Sequence, residues 1–126
     1  RRYDWPLQGF VAPAWLMSRG TRRALRQLPL TYTSDPQHLY RLPDFTPVNA
    51  PGLVWSARSA WRRGLSKCLS DRREQRWQAA PVIRLGLHPV DMRHEFSRRY
   101  WLETLQRLLN AGRTPLTKAA WLATQP

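Results

Sequence analysis

The stretch from Pro81 to Asp91 (Pro-Val-Ile-Arg-Leu-Gly-Leu-His-Pro-Val-Asp) constrains the fold more than any other part of the chain. An apolar run of strand length ends on His88, and Pro89 stops the ladder. With a period of two, Ile83, Leu85 and Leu87 share one face, which suits packing under helices. Arg84, Gly86 and His88 share the other. An imidazole at a strand's C-terminal end occupies the place where α/β folds put their substrate chemistry. A structural histidine, hydrogen-bonded at the strand end, is the open alternative.

The segments before and after this strand alternate between types. Gly9 to Pro13 reads as a short buried strand, followed by a bulky apolar loop over Ala14 to Met17. Thr21 is placed to cap a short helix carrying Ala24, Leu25 and Leu28, which Pro29 stops. Leu30–Thr33, His38–Leu42 and Leu53–Ser56 read as strands, and Ser34-Asp35-Pro36 as a turn. Pro43 to Gly52 holds three prolines and reads as an irregular connection. Trp61, Leu65, Cys68 and Leu69 recur at helical spacing, and Asp71 with Glu74 has capping-box spacing for a further short helix. Glu95 to Ala111 is the strongest helix, with Trp101, Leu105, Leu108 and Leu109 as its stripe and Gly112 just beyond its end. Thr114–Leu116 reads as a last strand, and Thr117 as the cap of a terminal helix. Strands alternating with helices predict an α/β fold with mainly parallel pairing.

Composition limits the chemistry. Cys68 is the only cysteine, which excludes an intrachain disulfide and a multi-cysteine zinc site; it is expected to pack as a small apolar residue. The chain has neither a glycine-rich phosphate loop nor a G-x-S-x-G elbow. Its three histidines form no H-x-x-x-H pair, and Pro89 interrupts the His88, Asp91, His94 series. The 21 basic residues against 8 acidic ones leave a net charge of +13. Such a field attracts nucleic acid or another polyanion, although no nucleic-acid module signature is present and the arginines are spread along the chain. Arginine-rich solvated faces are the competing explanation. Among seven tryptophans, Trp15 and Trp55 sit at or just beyond strand ends, where an indole can stack on a sugar ring; core packing is the alternative for each. The chain starts at Arg1 and shows neither a secretory leader nor an apolar run long enough to span a membrane. A processed or truncated start is expected; the compartment is unknown from the sequence, with a cytoplasmic setting slightly favoured.

Gly9-Phe10-Val11-Ala12-Pro13-Ala14-Trp15-Leu16-Met17-Ser18 resembles the third motif of the polysaccharide deacetylase superfamily, in a divergent bacterial branch. Ile83 to Asp91 resembles that branch's last motif. The resemblance covers nearly the whole chain, but only as the second half of the family's domain. It implies one partial domain, residues 1–126: the C-terminal half of an irregular (β/α) barrel. It also implies removal of acetyl groups from carbohydrate with a divalent metal, usually zinc. The metal ligands and the base belong to the N-terminal half, so this chain supplies none of them. The expected partner is therefore that N-terminal half or a homodimer mate, with an acetylated carbohydrate as substrate. The resemblance assigns oxyanion stabilisation to the Ala14 backbone N–H, beside Pro13, and the general acid to His88. Phe10-Val11-Ala12 stands where typical members carry an arginine, so the base-orienting role is unassigned. The fourth-motif aspartate has no match in residues 54–58; Asp91 and Arg84 are the candidates to support His88, and helix capping is the alternative for Asp91.

Overall fold

The computed structural model describes residues 6–54, 68, 71–72, 75–76 and 78–126. The strands are β1 (Gly9–Phe10), β2 (Tyr32–Ser34), β3 (His38–Arg41), β4 (Thr46–Asn49), β5 (Gly52–Val54) and β6 (Arg84–Gly86). The helices are α1 (Arg19–Leu25), α2 (Glu95–Asn110) and α3 (Lys118–Ala123). Short 3-10 turns occupy Pro13–Trp15 and Asp91–Arg93. The chain divides into two units, Arg1–Ala50 with Leu116–Pro126, and Pro51–Pro115. No helix among the described residues is long and apolar enough to cross a membrane.

The first unit holds a four-stranded sheet in the order β1-β2-β3-β4. β1 runs parallel to β2, but β2–β3 and β3–β4 are antiparallel. Only a few residues separate these last strands, and so short a connection can join only antiparallel neighbours. The second unit holds one parallel pair, β5–β6, with Leu53 opposite Leu85. The fold is therefore a small α/β arrangement with a mixed and a parallel sheet, and no barrel closes among the described residues. This corrects the expectation of the second half of a (β/α) barrel with mainly parallel pairing.

Local chemistry explains several other departures. The presumed irregular segment after Pro43 contains β4, whose Pro47 lies opposite Tyr40. An edge strand tolerates a residue with no N–H, and β4 is the edge. Ser18 caps α1 by accepting the Thr21 N–H at 3.0 Å, so the cap stands three residues before the expected Thr21. Residues 114–116 are not a strand. Thr117 caps α3 as expected, accepting the Ala120 N–H at 3.1 Å. Cys68 is exposed rather than packed. Trp61, Leu65, Leu69 and Glu74 lie outside the described residues.

Helix α2 ends in a Schellman arrangement: Gly112 (φ 79°) donates to Leu109 and Arg113 donates to Leu108. Its buried face is Ser97, Tyr100, Trp101 and Thr104, not the leucine stripe. Leu102, Leu105 and Leu109 are exposed. Tyr100 and Trp101 meet edge to face at 5.4 Å and form the core with Leu53, against which Ile83 and Leu85 pack. Aromatic side chains bury about 150–250 Å² each, so the helix turns its two rings inward. Ser97 and Thr104 follow them by helical periodicity.

Candidate functional site

In the first unit, β1 runs out at Phe10 and the chain turns sharply at Pro13. Trp15 N–H donates to the Ala12 carbonyl at 2.9 Å, and Leu16 N–H to that of Pro13 at 3.1 Å. Between them Ala14 (φ 50°, ψ 22°) and Trp15 (φ 58°) both adopt left-handed backbone. Each L-residue held there costs about 1–2 kcal/mol. The Ala14 N–H makes no hydrogen bond among the described residues, and Ala14 and Pro13 are exposed. A strained turn thus presents a free backbone donor just past the end of a parallel strand. Strain of this kind concentrates at functional sites. Trp15 is half-buried beside it. Neither left-handed position is a glycine, so no residue type announced this conformation in the sequence.

β1 meets β2 closely. A Cβ at Gly9 would collide with the Tyr32 ring, which lies over that position. On β2, Thr33 and Ser34 are fully buried, and Thr33 Oγ1 reaches Met17 Sδ at 3.7 Å. The residues flanking the Pro13 turn on the Met17 side are therefore tied to the sheet.

The β2–β3 turn carries a polar cluster that the sequence indicated only as Ser34-Asp35-Pro36. Asp35 Oδ1 accepts the N–H groups of Gln37 and His38, each at 2.7 Å, and Oδ2 accepts the Tyr40 hydroxyl. His38 Nδ1 lies 3.4 Å from Asp35 Oδ1. Burial pushes the Asp35 carboxyl up, but the bonds from Tyr40, His38 and Gln37 and the attraction of His38 outweigh it and hold it below the usual range. The same bond to Asp35, with burial, pushes the Tyr40 hydroxyl up.

In the second unit, β6 is only three residues long, and His88 stands two residues beyond its end, exposed. The expected apolar face holds for Ile83 and Leu85 but breaks at Leu87, which is exposed. Gly86 lies where a Cβ would approach Val54 Cγ2 at 3.1 Å, so a small residue is needed by β5 as well as beneath His88. Asp91 is fully buried. Its Oδ2 accepts the His88 backbone N–H at 2.9 Å, while its own N–H donates to the His88 carbonyl at 2.8 Å. Asp91 therefore fixes the main chain that carries the imidazole; it caps neither the Asp91–Arg93 turn nor α2, whose N-caps, Val90 and His94, make no side-chain cap bond. Asp91 Oδ1, Ser97 Oγ and Trp101 Nε1 are buried with no hydrogen-bond partner among the described residues. Arg84 N–H donates to the Pro51 carbonyl at 2.9 Å and extends the β5–β6 register.

Trp55, the second candidate sugar wall, lies outside the described residues. No group of three His, Cys, Asp or Glu side chains among the described residues is placed to hold a metal ion. The resemblance places the metal ligands outside this chain. No family model, curated protein or solved structure matches the chain.

Proposed function

We propose that this chain is part of a carbohydrate deacetylase-like hydrolase. The observation that carries the reading is the Ala14 N–H, on an exposed residue in a strained left-handed turn and without a hydrogen-bond acceptor among the described residues. Acyl hydrolysis passes through a tetrahedral oxyanion, and one oriented backbone donor at such a centre lowers the barrier by about 3–4 kcal/mol. Pro13 and Trp15 flank that donor and are the proposed substrate contacts beside it. The roles of His88 as a general acid for a leaving nitrogen or oxygen, and of Trp55 as a sugar contact, are proposed from the resemblance alone. The main chain of His88 is fixed by Asp91 while its side chain is solvent-accessible, an arrangement suited to proton delivery. The resemblance places the metal ligands and the base outside this chain, so no step is assigned to them here.

The test is acetate release from acetylated oligosaccharides by the full-length protein. His88→Ala is expected to lower turnover by about 10²–10⁴-fold. The loss should shrink for substrates with better leaving groups, which need less protonation. Stability should be unchanged, because Asp91 grips the backbone at 88 and not the ring. Unchanged turnover together with a lowered Tm would show His88 to be structural.

A further inference from the structure

Helix α1 and its C-cap carry Arg19, Arg22, Arg23 and Arg26 with no acidic residue among them. Arg22 and Arg26 are one turn apart and both exposed. Their guanidinium carbons lie 5.4 Å and 5.2 Å from the centroid of the Phe45 ring. Neither side chain makes a hydrogen bond or an ion pair among the described residues, so the guanidinium N–H groups of both remain available. Like charges at this spacing repel, and they persist most readily where an anion bridges them. The helix macrodipole favours basic groups at this end. It does not account for Phe45.

Phe45 ends the β3–β4 loop with φ 60°, a conformation rarely adopted by a bulky residue. Glycine or asparagine would meet the loop's backbone need without strain. Its ring is nevertheless held there, largely buried, beside Tyr40 at 6.4 Å. Tyr40 is itself fixed by its hydroxyl bond to Asp35. A strained aromatic on a braced platform thus gathers two guanidiniums whose N–H groups have no partner among the described residues. Planar guanidinium edges match the oxygen spacing of a tetrahedral oxyanion, to which they bond two at a time.

We infer that Arg22 and Arg26, gathered beside Phe45, form a binding site for a phosphate dianion. The inference is independent of the acyl-hydrolysis reading. Two sources share this chemistry, inorganic phosphate and a phosphorylated sugar. Calorimetric titration of the full chain with inorganic phosphate and, separately, with a hexosamine 6-phosphate distinguishes them: equal affinities indicate free phosphate, and tighter binding of the sugar ester indicates the ester. Arg26→Gln and Arg22→Gln are each expected to weaken binding at least ten-fold. Phe45→Gly suits the left-handed backbone, and it should also weaken binding with circular dichroism unchanged. Arg26→Lys keeps the charge but loses the flat fork, and should weaken binding several-fold even if Phe45→Gly disturbs the loop. Arg99→Gln, on exposed α2 surface beside Glu103, serves as the control. The inference is overturned if neither phosphate binds, if Arg99→Gln weakens binding as much as Arg26→Gln, or if Arg26→Lys binds as tightly as the parent.

Discussion

Replacing Asp91 separates the scaffold of the His88 turn from its chemistry. Asp91→Ala removes a carboxylate that accepts the His88 N–H at 2.9 Å. A hydrogen bond to a charged acceptor contributes about 1.5–3 kcal/mol. Against that loss, the substitution also removes Oδ1, a buried oxygen with no partner among the described residues. Relief of that desolvation offsets about 1 kcal/mol of the bond. The expected net destabilisation is about 0.5–2 kcal/mol, a fall of a few degrees in Tm for a chain of this size. Asp91→Asn keeps an acceptor oxygen of the same reach and should lose less than about 1 kcal/mol. Hydrogen exchange locates the effect: the His88 amide should lose protection in Asp91→Ala while the Leu53 and Gly86 amides in the β5–β6 ladder keep theirs. An alanine variant with unchanged Tm and a protected His88 amide would refute this role of Asp91.

The Asp35–Tyr40 bond sets a pH signature with two limbs. Asp35 is lowered, so its contribution is present above the unfolded carboxyl value of about 3.9 and is lost as pH falls through the lower folded value. Tyr40 is raised, so its contribution is present below about 10 and is lost as pH rises through the raised folded value. Urea unfolding of Tyr40→Phe across acid and alkaline pH should show both limbs flattened; a profile parallel to the parent's would contradict the bond. Gly112→Ala meets no atom within 4 Å of the new Cβ, so its cost is the left-handed backbone alone, about 1–2 kcal/mol. Thermal melts would show a lowered Tm, and a rise would mean that helix propensity outweighs the Schellman turn.

Features governed by local chemistry were legible in the sequence. Gly112 and Thr117 marked helix ends because a left-handed cap and a hydroxyl cap depend on one residue type each. Asp35 marked its turn for the same reason. Features set by tertiary competition were not. β4 was hidden by Pro47, since whether a strand lies at an edge is decided by its neighbours. The buried face of α2 was legible at Trp101 but not beyond it: Leu105 and Leu109 are exposed, because the adjacent Tyr100 takes the core position with Trp101 and brings Ser97 and Thr104 with them. The run to His88 promised a longer strand than the three residues that pair, because hydrophobic alternation does not say how far the partner β5 extends. His88 was named from its place at a strand end and Ala14 from the resemblance alone, but the left-handed pair at Ala14–Trp15 could not be read from the sequence. Phe45 escaped notice for the same reason: a positive φ on a residue that does not favour one leaves no compositional trace.

The central claim is that the Ala14 N–H is a donor kept free for a reacting oxygen. Semisynthetic replacement of Ala14 by lactic acid exchanges that N–H for an ester oxygen and leaves the methyl group in place. Because the N–H has no internal acceptor among the described residues, the folded state should lose no hydrogen bond there and Tm should hold. Initial rates of acetate release by the full-length protein are then the direct measurement. A fall of about 10²–10³-fold in turnover at unchanged stability is the predicted result. Turnover equal to that of the parent amide would contradict the claim.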